Sequence, residues 1–392
     1  MFKNPVLLGL CQFLLMISAA VGISFNGLVG EHLAASPALA TMPFLSMSAT
    51  TAILVLMLPS IFARLGYRRT FALGAALGVL GSLLAAVAIW FGSFALFCCA
   101  GFFMGSYQAS ALYYRFAAAD SVEPPHKSTA IAWVLNGGIL AALLGPLLAS
   151  KSVHWLSVDY LGSYLSVATL GLLALPVMMF LQLPKRHAVS ASVQIPLTTL
   201  LKIPAALVAI LFCAGGYAMM MLVMLASPLA MHGCGFVAQD AASVIQWHLL
   251  GMFVPSLLTG KLIARYGAIP IALIGCAILT VGCGVAVAGM ELIHFHWALM
   301  LVGVGWNFMY MGGSTLITQV DISVRPRLQA MNEFITFAVM TLTAGATGWL
   351  YQYLGWKALL QMAVVFVVIL VLFVLMDRWR AKTKLKALNA NS

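Results

Sequence analysis

Charge is what this sequence has least of. Nine Asp and Glu and twenty Lys and Arg make up 7% of 392 residues, 63% are hydrophobic, and the mean hydropathy is +1.05. A soluble globular domain carries roughly a quarter of its residues charged, so that class is excluded. Cysteine offers no disulfide framework. There are seven, an odd number, and Cys11, Cys98, Cys99, Cys213, Cys276 and Cys283 all fall inside apolar runs. A nucleophile, base and oxyanion-stabilising set is also missing, so an enzyme is not expected.

What fills the chain instead is a series of apolar runs of about 20 residues, each able to cross a hydrocarbon core of about 30 Å as a helix. Runs of this kind exclude a β-barrel. The expected fold class is an all-α membrane protein with twelve spans, at 6–29, 40–63, 70–91, 93–118, 128–150, 161–183, 203–230, 241–263, 268–290, 294–318, 328–350 and 355–376. The first span is too long and too poorly flanked for a cleaved signal peptide and reads as a retained helix.

Eighteen of the twenty Lys and Arg fall at alternate loops or at the termini, and only Lys151 and Lys357 fall on the other side. Basic loops stay in the cytoplasm, so both termini are expected there, in a bacterial inner membrane. The net charge of +11 then reflects topology and contact with anionic membrane lipid, and nucleic acid is not an expected partner. A monomer is expected.

The chain repeats itself at an offset of 201 residues. Arg64 aligns with Arg265, Gly66 with Gly267, Gly74 with Gly275, Gly81 with Gly282, and Asp120 with Asp321, without a gap. Residues 1–184 and 203–380 are therefore expected to form two six-helix halves, joined by a cytoplasmic linker at 185–202 and followed by a basic tail at 381–392. Duplicated transporters of this kind hold their cargo between the halves near the midplane. The loops "PSIFARLGYRRTFALG" and "GKLIARYGAIPIALIG" resemble the cytoplasmic signature of the major facilitator superfamily, with Ala63 and Ala264 standing where that pattern has Asp.

Sulfur is concentrated in the seventh span. "YAMMMLVMLASPLAMHGCG" holds Met219, Met220, Met221, Met224 and Met231. Cys213, Met220, Met224 and Met231 fall on one helical stripe about 27 Å long. In the eighth span His248 and Met252 share a face. Counting inward from the outer surface, Met224 is level with His248 and Met220 with Met252. Thioether, thiolate and imidazole together suit Cu(I) and hold hard ions poorly. His32, His154, His232, Cys234, His294 and His296 lie around the outer mouth and are expected to form a collecting vestibule.

The bland alternative is packing, since 22 Met in 392 residues give about one Met-x-x-x-Met pair at random and thioethers are adaptable filler. For His248 the alternative is a hydrogen bond to a neighbouring helix.

Met-x-x-x-Met in the seventh span followed by His-x-x-x-Met in the eighth resembles the CcoA-type bacterial copper importers, and "WNFMYMGGSTLITQVD" is similar to that family and its riboflavin-transporting relatives. The resemblance implies a transporter moving a copper ion, free or as a small complex, through Met220, Met224, His248 and Met252, to supply haem-copper oxidase assembly. Cys213, Met231, His232, Cys234 and Met47 are secondary metal candidates; Met47 is the counterpart of His248 at the repeat offset. The rival expectations are an importer of riboflavin or another small metabolite, which needs stacking aromatics and hydrogen-bond donors, and a drug or metabolite exporter. Glu333 is a coupling candidate, with a helix cap or a pair with Arg327 as its structural alternative. Arg115 is expected to snorkel to the interface.

Overall fold

The computed structural model describes residues 2–123, 126–183, 203–321 and 324–390. The expected linker at 185–202 lies outside the described residues. Among these residues the chain is helical, with no strand.

Among the described residues ten helices are long and apolar enough to cross a membrane. Two of them, Pro37–Phe91 and Arg327–Arg380, cover 55 and 54 residues, which at about 1.5 Å per residue is far more than one crossing needs. Each breaks at a glycine: Gly66 (φ 76°, ψ 163°) and Gly355 (φ 76°, ψ 172°) adopt a backbone conformation essentially closed to other residues. The result is twelve spans. They are α1 (Lys3–Leu33), α2 (42–65), α3 (67–91), α4 (Phe94–Asp120), α5 (Lys127–Ser152), α6 (Leu161–Met179), α7 (Pro204–Gly233), α8 (Ala238–Tyr266), α9 (Ala268–Ala288), α10 (Leu292–Thr318), α11 (325–354) and α12 (356–390).

The expected spans are recovered to within a few residues except at the end. α12 runs on to Ala390 instead of stopping at 376, because Arg, Lys, Ala and Leu, all good helix formers, make up most of its tail. The repeat is visible in the backbone. Gly267, the counterpart of Gly66, also takes a positive φ, 92°, so the two signature loops turn in the same way.

The halves do not meet evenly along their length. At the end opposite Arg64 and Arg265, Gly348 N donates to Thr41 Oγ1 (3.1 Å), and His232 Nδ1 lies 3.2 Å from Glu31 Oε2. Further in, Gln246 Nε2 donates to Leu143 O (3.0 Å). A side chain on Gly345 would collide with Leu45, and one on Gly348 with Ala38 O, so α11 lies flush against the start of α2. At the basic end α2 and α4 stand apart from α11 and leave a cavity of about 450 Å³. The bundle is closed at one end and open at the other.

The outer surfaces of the spans present Leu73, Trp90, Phe91, Leu172, Leu257 and Leu372, as a lipid-facing surface requires. α7 is the exception. Its most apolar window is 83% buried, while no other span exceeds 56%. It is the centre of the second half.

Candidate functional site

The central position of α7 accounts for its sulfur. Cys213, Met219, Met220, Met221, Met224 and Met231 are all buried, where a long, unbranched thioether fills irregular space between helices. The Cys213 thiol reaches Tyr310 O and Ser314 Oγ of α10, each at 3.8 Å. Met220, Met224 and Met231 follow Cys213 on the same helical face, so the stripe runs along the side of α7 that meets α10 at its inner end.

α8 also leans on α10. His248 is fully buried, and its Nδ1 lies 2.8 Å from Leu299 O. A carbonyl can only accept, so Nδ1 carries the proton and Nε2 presents its lone pair. That Nε2 is buried without a protein partner. Asn307 of α10 reinforces the joint: its Nδ2 donates to Met252 O (2.8 Å) and its Oδ1 accepts from Thr259 (2.8 Å). The expectation that α7 and α8 face one another directly is therefore modified. The two touch one another little: α8 packs chiefly against α10, and α7 packs against the α11–α12 segment as well as α10. Met47 is not brought to them. It lines a small cavity of about 30 Å³ inside the first half with Ala19, Gly22 and Gln108.

Three of the histidines expected at the outer mouth hold separate local partners. His154 pairs with Asp159 (2.7 Å), His232 with Glu31, and His296 with Ser243 (3.0 Å) and Leu292 O (3.0 Å). Cys234 is exposed. Among the described residues no three His, Cys, Asp or Glu side chains gather to hold a metal ion. These three imidazoles are engaged one by one with local partners, which a count along the sequence could not reveal.

A second arrangement lies nearer the basic end. Trp306 and Tyr310, one turn apart on α10, stack almost parallel (5.3 Å between ring centres, 6° between planes), and Tyr217 of α7 sets its edge against both at 5.0 and 5.4 Å. Tyr310 donates to Glu333 Oε1 at 3.5 Å. Glu333 is neither a helix cap nor a lipid-side charge: it sits about 12 Å inside α11 and lines the 450 Å³ cavity together with Arg115, Tyr113, Phe116, Gln329 and Phe337. Arg115 does not snorkel outward. It turns into the same cavity, lies over the Phe116 ring at 4.8 Å, and keeps its Nε buried without a partner.

Trp306 Nε1, Asn332 Oδ1 and Thr336 Oγ1 are likewise buried and unpartnered. Buried polar atoms are normally hydrogen-bonded, so this concentration of free donors and acceptors beside an aromatic stack is unusual. It is suited to a flat solute with polar edges. Sequence reasoning missed this stack: Trp306 and Tyr310 stand four apart in α10, but the approach of Tyr217, Arg115 and Glu333 depends on helices distant in the chain.

Comparison with known proteins agrees with this architecture. The Major Facilitator Superfamily profile matches residues 8–321. The riboflavin transporter RfnT of Brucella anthropi is 35% identical over 362 residues, covering 91% of each chain. The uncharacterized MFS-type transporter YddS of Bacillus subtilis is 27% identical, covering 83% of this chain and 78% of its own. Among solved structures, the nucleoside transporter NupG superposes with a TM-score of 0.68 at 15% identity, covering 95% of this chain and 98% of its own. A bacterial homolog of the human lysosomal transporter Spinster, inward-facing and occupied, gives 0.69 at 13%, covering 97% of each. At these identities the solved structures speak for the fold alone.

Proposed function

This chain belongs to the Major Facilitator Superfamily, and from that premise we propose that it imports a small, flat, polar-edged metabolite of the riboflavin kind by alternating access. The observation that carries the reading is the buried Trp306–Tyr310 stack with Tyr217 at its edge, linked through the Tyr310 hydroxyl to Glu333 and accompanied by unpartnered polar atoms. A fused ring system stacks on such a platform, while its carbonyl, imino and hydroxyl groups satisfy donors and acceptors that are costly to leave bare. The similarity to a riboflavin transporter over 91% of the chain supports the same class of cargo.

Placing the basic end in the cytoplasm, as the positive-inside rule directs, makes the bacterial cytoplasmic membrane the expected location and the arrangement inward-facing. Residues 1–184 and 203–380 would then act as the two rocking halves. The test is rescue of a riboflavin-auxotrophic bacterium at limiting riboflavin, together with uptake of labelled riboflavin into cells making the protein. Failure of both, with the protein present in the membrane, overturns the reading.

A second reading is Cu(I) import, and it rests on His248. An imidazole that donates through Nδ1 to a backbone carbonyl and offers a bare Nε2 has the arrangement of a metal-binding histidine. Met220, Met224 and Met252 are the soft donors on the helices concerned. Copper-dependent accumulation in the same cells, lost on His248→Leu and Met220→Ala, would favour it.

A further inference from the structure

Among the described residues the cavity at the basic end is lined by one cation and one carboxylate, and they come from opposite halves: Arg115 from α4 and Glu333 from α11. Arg115 lies within electrostatic reach of Glu333. They are nevertheless not joined. Among the described residues ion pairs link His154 with Asp159 and His232 with Glu31, and none links Arg115 with Glu333. The Glu333 carboxylate receives one long hydrogen bond, from Tyr310 at 3.5 Å, and the Arg115 Nε has no partner.

A guanidinium presents several donors in a rigid plane, and a carboxylate only accepts. Held apart across one slot between aromatic walls, the two are complementary to a solute edge that alternates acceptor and donor. The pyrimidine edge of a flavin is such a group, an N–H between two carbonyls. Phe116 and Phe337 line the slot, and the Tyr310 hydroxyl ties the carboxylate to the neighbouring aromatic stack, so a ring held in the slot would present its edge to both charges.

We propose that Arg115 and Glu333 form the specificity-determining clamp for the imide edge of the cargo, Arg115 donating to its carbonyl oxygens and Glu333 accepting its N–H. The clamp rests on the riboflavin-class reading above and adds to it the group that is recognised. It also gives the cargo a physical role, because only a solute bearing this edge bridges a charge on one half to a charge on the other.

The experiment compares riboflavin with its N3-methyl analogue, which keeps both carbonyls and the ring but has no imide N–H, using quenching of flavin fluorescence on the purified full-length protein in detergent. Losing a hydrogen bond to a charged group costs about 1.5–3 kcal/mol, so the wild type should bind the methylated flavin roughly 10- to 150-fold more weakly. In Glu333→Ala that preference should fall to about twofold. In Arg115→Lys both flavins should weaken together with the preference retained, since a lysine keeps the charge but loses the fork.

Equal affinity of the wild type for the two flavins overturns the clamp while leaving the cargo class standing, and so does an undiminished preference in Glu333→Ala. Absence of riboflavin binding to a monodisperse wild-type protein overturns the cargo class and the clamp with it. Should Glu333→Ala not fold, the wild-type comparison alone decides.

Discussion

His232 Nδ1 and Glu31 Oε2 stand 3.2 Å apart, and their positions differ by 201 residues, the offset of the internal repeat. Residues at equivalent positions of two copies meet only where the axis relating the copies passes between them. The pair therefore marks that axis at the closed end, where the last turn of α1 meets the last turn of α7. The repeat that the glycines carry along the chain thus closes on itself in space.

Because opening this end must part the two side chains, a disulfide in their place should arrest transport. In a Cys234→Ser background, Glu31→Cys with His232→Cys should lose uptake on oxidation and regain it with a thiol reductant. Uptake unaffected by a formed disulfide would show that the end does not open. Glu31→Gln alone should change uptake less than about fivefold, since an exposed ion pair contributes about 0–1 kcal/mol.

Gly66 and Gly267 impose the turn of the two signature loops with φ of 76° and 92°. Replacing either by Val forces a branched residue into a region reserved for glycine, at about 1–3 kcal/mol each. Lower thermal stability of both variants in detergent is the expected result. Gly260, in open surroundings within α8, should tolerate Ala with a far smaller change.

Trp306→Ala should weaken riboflavin binding about tenfold by removing one face of the stack. Tyr310→Phe keeps the ring and loses only the hydroxyl to Glu333. It should therefore retain stacking and lose less than Trp306→Ala when the same quenching assay is applied to both.

The two readings of cargo separate on α7 and α8. If the soft donors are filler, Met220→Leu and Met224→Leu conserve volume and should leave riboflavin uptake within about twofold, since swaps of this kind cost under about 1.5 kcal/mol. If they hold Cu(I), the same leucines abolish copper accumulation, because a methylene cannot replace a thioether donor. Parallel uptake of labelled riboflavin and copper by each variant decides between them.

Much of the architecture can be read from residue order. Hydropathy marks twelve crossings because the bilayer fixes their length, and Arg64/Gly66 against Arg265/Gly267 betray the duplication because a tight turn constrains both copies alike. Site geometry is harder to read. Equal depth of Met224 and His248 follows from counting along two helices, but which face of each meets α10 depends on packing that the count does not contain. Arg115 and Glu333 each resemble ordinary helix-end charges in isolation. Only the lateral approach of α4 and α11 turns them toward a common space.

The flush contact of α11 against the start of α2 bears on how readily this molecule can switch. Gly348 brings the two backbones together and Gly345 makes room for the single side chain of Leu45, so separation uncovers one leucine and breaks one amide-to-threonine bond. A joint of that kind parts cheaply and heals in register. Larger residues there would weld the carrier shut or wedge it ajar, and either would stall the cycle without touching whatever it conveys.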